Sequence, residues 1–95
     1  MVSAALDRAD REFVIMALAL RGKCTIAKVQ RIVASKSPRT MTALAWKAEF
    51  TARFAMELQK RLSRIRPPSI LNARDGIDFA MTQGQMTEQL AMVAD

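Results

Sequence analysis

Between Pro38 and Pro67 the chain contains neither glycine nor proline. Ser37 is a good helix N-cap, and Pro38 suits the first helical position, where its missing N–H costs nothing. At the other end Pro67-Pro68 forbids continuation. Within these limits Met41, Leu44, Ala48, Ala52, Ala55, Leu58, Leu62 and Ile65 recur every three or four residues, the spacing of an amphipathic helix. The pattern predicts one long helix from Pro38 to Arg66, roughly 43 Å at 1.5 Å per residue. A compact domain of this length is only about 32 Å across, so the helix would outrun its own domain. Trp46, Phe50 and Phe54 form a second apolar stripe at i, i+4 spacing on another face.

Upstream, the apolar run Phe13 to Leu20 has helical flanks and no strand-like segment to pair with, which makes it a helix rather than a buried strand. Ser3 or Asp7 would cap it and Gly22 would stand just past its end. Leu6, Ala9, Phe13, Met16, Ala17 and Leu20 form one stripe, and Val14, Ile15 and Leu18 make its middle apolar all round. Thr25 is then the N-cap of a shorter helix, Ile26 to about Ala34, with Ile26, Val29, Ile32 and Val33 inward. After Pro67-Pro68 three weak signals follow: a turn capped by Ser69 and ended by Gly76, a short helix from Asp75 or Asp78 with Gly84 after it, and a last turn capped by Thr87. The fold class expected is all-α, without a β-wing. Residues 1–66 would form the helical domain with its long third helix, and 67–95 short C-terminal helices or a tail ordered by a partner.

Charge is unevenly spread. From Phe13 through Ala48 there is no carboxylate against seven basic residues, and from Phe13 through Arg66 there are twelve basic residues against only Glu49 and Glu57. The first twelve residues and those after Arg66 are both net acidic. A basic centre between acidic ends suggests a surface for a polyanion. A generally basic, solvated helical surface is the plainer account. Lys60, Arg61, Arg64 and Arg66 also fall in the last turns of the predicted long helix, where cations suit its dipole.

The short helix, a polar turn Ser35-Lys36-Ser37, and a helix opening Ser-Pro-Arg-Thr resemble the helix-turn-helix core of bacterial and phage DNA-binding regulators. The resemblance covers Thr25 to Met41, about a fifth of the chain. It rests on the Thr25-Ile26-Ala27 opening and on Ser37-Pro38-Arg39-Thr40-Met41 leading into the recognition helix. The turn is a variant, without the usual glycine and about one residue longer. The resemblance implies DNA contacts from the side of the recognition helix opposite Met41, Leu44 and Ala48. Arg39 would meet a guanine edge and Thr40 a base or phosphate, while Lys28, Arg31, Lys36 and Lys47 would meet phosphates.

Other chemistries find little in this composition. With no histidine and a single cysteine, zinc sites and base-activated nucleophiles lack their residue types. Carboxylates are too scattered for paired acid–base work. The chain is therefore expected to be no enzyme and to need no cofactor or metal. Its longest apolar run is too short to span a bilayer, and the charged residues near its start do not fit a signal peptide, so cytoplasm is expected. Two functions follow: a small DNA-binding regulator, as a dimer, or a helical protein-binding module. The latter would be an antiactivator that binds a transcription factor, or a phage or mobile-element adaptor subunit. In that case Trp46, Phe50, Phe54, Leu58 and Leu62 on the overhanging helix would form the interface with a second copy or a regulatory partner. A competing cover is the chain's own tail, with Phe79, Met81, Leu90 and Val93 folded back.

Overall fold

A computed structural model describes residues 10–74 and 78–93. Five α-helices run in order among them: α1 (Arg11–Gly22), α2 (Ile26–Ser35), α3 (Pro38–Lys47), α4 (Ala52–Glu57) and α5 (Gln83–Ala91). A π-helical turn, Leu58–Leu62, extends α4, and a 3-10 turn covers Pro67–Ser69. The all-α expectation holds, with one isolated antiparallel bridge, Arg74 to Asp78, as the extended pairing among the described residues.

Local capping explains most of the starts. Asp10 accepts from the Phe13 amide, Thr25 from Lys28, Ser37 from Thr40 and Thr51 from Phe54, each satisfying a donor that the first helical turn leaves without a partner. The first described helix thus starts at Asp10; the expected caps Ser3 and Asp7 lie outside the described residues. Thr82, not Thr87, caps the last helix. It forms a reciprocal box with Gln85: the Gln85 amide donates to Thr82 Oγ1 at 3.1 Å and the Thr82 amide to Gln85 Oε1 at 2.9 Å. Gly84 therefore lies inside α5 rather than after a helix.

The predicted long helix is two helices and a π-turn. It breaks after Lys47, where the Phe50 amide donates to Ala45 O (2.9 Å) and the Glu49 amide to Trp46 O (3.0 Å). Those two bonds close a Schellman motif, with Glu49 at φ 63 in the left-handed position that glycine usually takes. Thr51 then restarts the chain as α4. The break costs about 1–2 kcal/mol of backbone strain at Glu49. In return α4 and its π-turn fold against α3, burying Ala52 and placing Ala55, Leu58 and Leu62 on the core that holds Met41, Leu44 and Ala48. The apolar period runs through the break because both halves face that same core. No described helix overhangs the domain, whose principal extents are 29 × 27 × 21 Å.

Helices α1 and α2 also end on a left-handed residue, whereas α5 ends on Met92 in the right-handed region. Lys23 closes α1 and Lys36 closes α2, at φ 56 and 52, and Arg64 follows the π-turn at φ 55. Gly22 is the last residue of α1, not its left-handed terminator.

Helix α3 lies at the centre. Every residue from Thr40 to Ala45 is buried. One side meets the main core of Val14, Leu18, Val29, Ile32, Leu58 and Leu62. The other carries Ala43 and Trp46 into a second cluster with Met81 and Met86, which brings α5 over it. Gln59 on the π-turn is fully buried. Its Nε2 donates to Thr42 Oγ1 (3.2 Å) and to Leu71 O (3.0 Å), and its Oε1 accepts from the Leu71 amide (2.7 Å). The C-terminal segment is thereby hydrogen-bonded to the interior, as an internal part of the fold.

Candidate nucleic-acid interface

Helix α2 is the more open half of the α2–α3 pair. Val29, Ile32 and Val33 are its buried residues, while Ile26, Ala27, Gln30, Arg31, Ala34 and Ser35 are exposed. Ile26 was expected inward; as the first residue of α2 it stands at the rim, 46% exposed. Ser35 Oγ donates to Ile32 O at 2.6 Å and accepts from the Ser37 amide at 3.3 Å, which ties the turn between the helices to α2. Ser63 fastens the end of α2 from the other side by donating to Val33 O at 3.0 Å.

The predicted DNA-contacting cations are strung along this helix and its two ends. Arg31, Lys36, Arg39 and Lys47 are exposed and Lys28 is half-buried. Lys28 and Lys47 come together with Lys23 around an open cleft of about 500 Å³, whose apolar lining includes Gly22, Cys24, Leu44 and Leu90. Lys23 and Lys47 also line a neighbouring cleft with Arg21, Trp46 and Glu49. Arg21 lies over the Phe50 ring, 4.3 Å from its centroid, an arrangement that holds its charge at the surface on an aromatic platform. Lys36 and Arg39 stand at the opposite end of α2, about 15 Å away at 1.5 Å per residue. The described salt bridges involving Glu57 are local ones, to Lys60 and Arg61 beyond this segment.

Thr40 is not available for a base or phosphate, which corrects the expectation for the recognition helix. It is 6% exposed, its hydroxyl lies 3.1 Å from Ser37 Oγ, and it donates to Gln89 Oε1 on α5 at 3.3 Å. Ala43, on the same side, is fully buried. The cause is α5, which occupies the side of α3 that would enter a groove. Within α3 Arg39 and Lys47, at its two ends, are the exposed residues.

The predicted partner face on the long helix is closed as well. Leu58 and Leu62 are interior residues, and Phe50 and Phe54 pack on each other (centroids 4.7 Å apart) and on the main core. Trp46 is half-buried against the Met81–Met86 cluster. The chain's own tail provides part of this cover: Phe79, Leu90 and Val93 pack on the main core and Met81 on the second cluster.

Sequence reasoning passed over Lys23 and Gln59. The signal for Lys23 was its place beside Gly22 at a helix end. Gln59 had none, since its burial follows from the π-turn. Among the described residues no group of three or more His, Cys, Asp or Glu side chains is placed to hold a metal ion. No described helix is long and apolar enough to cross a membrane. No protein-family model, curated protein or solved structure matches this chain.

Proposed function

We propose that the chain is a small non-enzymatic regulator that binds DNA mainly through phosphates, using cations along α2 and at its ends. The observation that carries this reading is the exposed series Arg31, Lys36, Arg39 and Lys47, in a stretch from Phe13 to Ala48 that contains no carboxylate. Phosphate contacts of this kind position a protein on a duplex and supply most non-specific affinity. Here α3 acts as the buried support that sets the position of α2, with Arg39 as the α3 residue placed to reach a base edge. Binding of a labelled duplex across a salt series tests the proposal. Lys36→Ala with Lys47→Ala is expected to weaken all sequences alike and to lower the salt slope by about 2, one per lost phosphate contact. Arg39→Ala is expected to cost about 1–3 kcal/mol and to relax whatever sequence preference exists. Absence of a salt-dependent shift with any duplex in dilute salt refutes the reading.

A second reading, a helical protein-binding regulator such as an antiactivator, is favoured by one observation: α5 seals the groove-entering side of α3. A pull-down with and without nuclease separates the two, since capture through DNA is lost on digestion.

A further inference from the structure

Four of the five large hydrophobic side chains exposed among the described residues gather on one surface. Phe13 (44% exposed), Met16 (58%) and Leu20 (81%) follow one side of α1, and Ile26 (46%) stands at the head of α2. With Ala17 and Ala19 they line a single shallow groove of about 460 Å³ that is almost wholly apolar. Together they expose on the order of 400 Å² of apolar surface, within the range of the largest patch on a single chain, which is often functional. The opposite side of α1, with Val14, Ile15, Leu18 and Ala19, already fills the core, so this helix is apolar all round while one side has no cover within the described chain.

We propose that this surface joins two copies of the chain, with their α1 helices packed antiparallel about a two-fold axis beside Met16 and Ala17. The spacing is self-complementary about that point: Phe13 of one copy meets Leu20 of the other, and Met16 lies beside its own counterpart at the axis. Charge selects the same arrangement. Helix α1 opens with Asp10 and Glu12, with Arg11 between them turned onto Leu62 O at 2.7 Å, and closes with Arg21 and Lys23. Antiparallel packing brings Glu12 of one copy within reach of Lys23 of the other, on the same flank of the stripe, and opposes the two helix dipoles. Parallel packing sets like charges side by side, and a uniformly acidic or basic partner suits only one end of the helix. The apolar area is about half of the roughly 800 Å² that each partner contributes to a standard stable interface. The dimer is therefore weak and reversible. Arg31, Lys36, Arg39 and Lys47 lie outside the stripe, and the dimer is read as mass in solution without DNA, so the two proposals fail independently.

Sedimentation equilibrium of the full, nuclease-treated chain from about 10 µM to about 1 mM covers the range of a weak association. Met16→Glu sets two carboxylates beside the axis and is expected to raise Kd about a hundredfold or more, with the helical circular dichroism of the wild type retained because the side chain is mostly exposed. Glu12→Lys is expected to weaken the dimer several-fold, and adding Lys23→Glu to restore it. A monomer throughout the range overturns the proposal. So does association that ignores Met16→Glu, or a charge reversal that the second substitution fails to rescue.

Discussion

Replacing Gln59 by methionine tests how the C-terminal segment is held. Methionine keeps the length and most of the volume of glutamine but makes none of its three hydrogen bonds, to Thr42 Oγ1, Leu71 O and the Leu71 amide. Each such bond contributes about 0.5–1.5 kcal/mol net, and a buried group left without a partner costs about 1–3 kcal/mol. Leu71 is half-buried, so water relieves part of the second cost. The added apolar side chain offsets a little more. The expected loss is about 2–4 kcal/mol out of the roughly 5–15 kcal/mol that a domain possesses, or a fall in Tm of roughly 10–25 °C at this size. Urea unfolding measures the loss, and hydrogen exchange at the Leu71 amide locates it, because that proton should become one of the most accelerated. Thr42 passes the same network on by donating to Pro38 O at 2.8 Å. Thr42→Val combined with Gln59→Met should therefore cost less than the sum of the two single changes. A loss below about 0.5 kcal/mol, the range of ordinary surface substitutions, refutes the account of Gln59 as the tie between the π-turn and the tail.

Glu49→Gly is expected to stabilise the chain by about 0.5–1 kcal/mol, since glycine takes the left-handed position with little strain and gives part of that gain back as unfolded-chain entropy; destabilisation in urea unfolding refutes the Schellman reading of this break. Gly22→Ala is expected to stabilise by a similar amount, about 0.5–1 kcal/mol. An added Cβ would meet Leu44 Cδ1 at 3.5 Å and Cys24 Sγ at 3.7 Å, both ordinary contacts; a loss of Tm in the alanine variant shows that α1 and α3 are closer than this geometry describes.

What the sequence made legible were side-chain periods and polar caps. Thr25, Ser37 and Pro38 mark α2 and α3 because their roles are local, and all eight residues of the Met41-to-Ile65 stripe are buried because an apolar period reports which face is inward. The period does not report continuity. It passes through Glu49 unchanged, since α3 and α4 share a core, and the usual mark of a helix end is missing. All four left-handed residues among those described are charged: Lys23, Lys36, Glu49 and Arg64. Each closes a helical segment by its backbone alone, so a reading that waits for glycine extends the helix past its end. The missing glycine of the turn before α3 has the same explanation in Lys36. The box Thr82–Gln85 was legible in its spacing and was passed over for Thr87.

The candidate site was half legible for a related reason. Cations are easily placed outside, and Arg31, Lys36, Arg39 and Lys47 are there. Which side of α3 faces outward depends on a segment more than forty residues later in the chain. Residues 40–45 are Thr-Met-Thr-Ala-Leu-Ala, small or apolar at every position, a composition that fits burial on both sides as well as an amphipathic face. Met86 and Met81 complete the second cluster, and the flexible thioether side chain suits a shallow gap over Ala43. With α3 enclosed, contact with a partner falls to the helices at the perimeter. Helix α2 offers charge and α1 offers apolar surface, so the two kinds of binding proposed here draw on different sides of the same fold. A duplex held along α2 leaves the α1 stripe open to a second copy, and pairing through α1 doubles the number of cations presented to one polyanion. Even a weak dimer then raises affinity through effective concentration, provided that the two α2 surfaces can reach the same duplex.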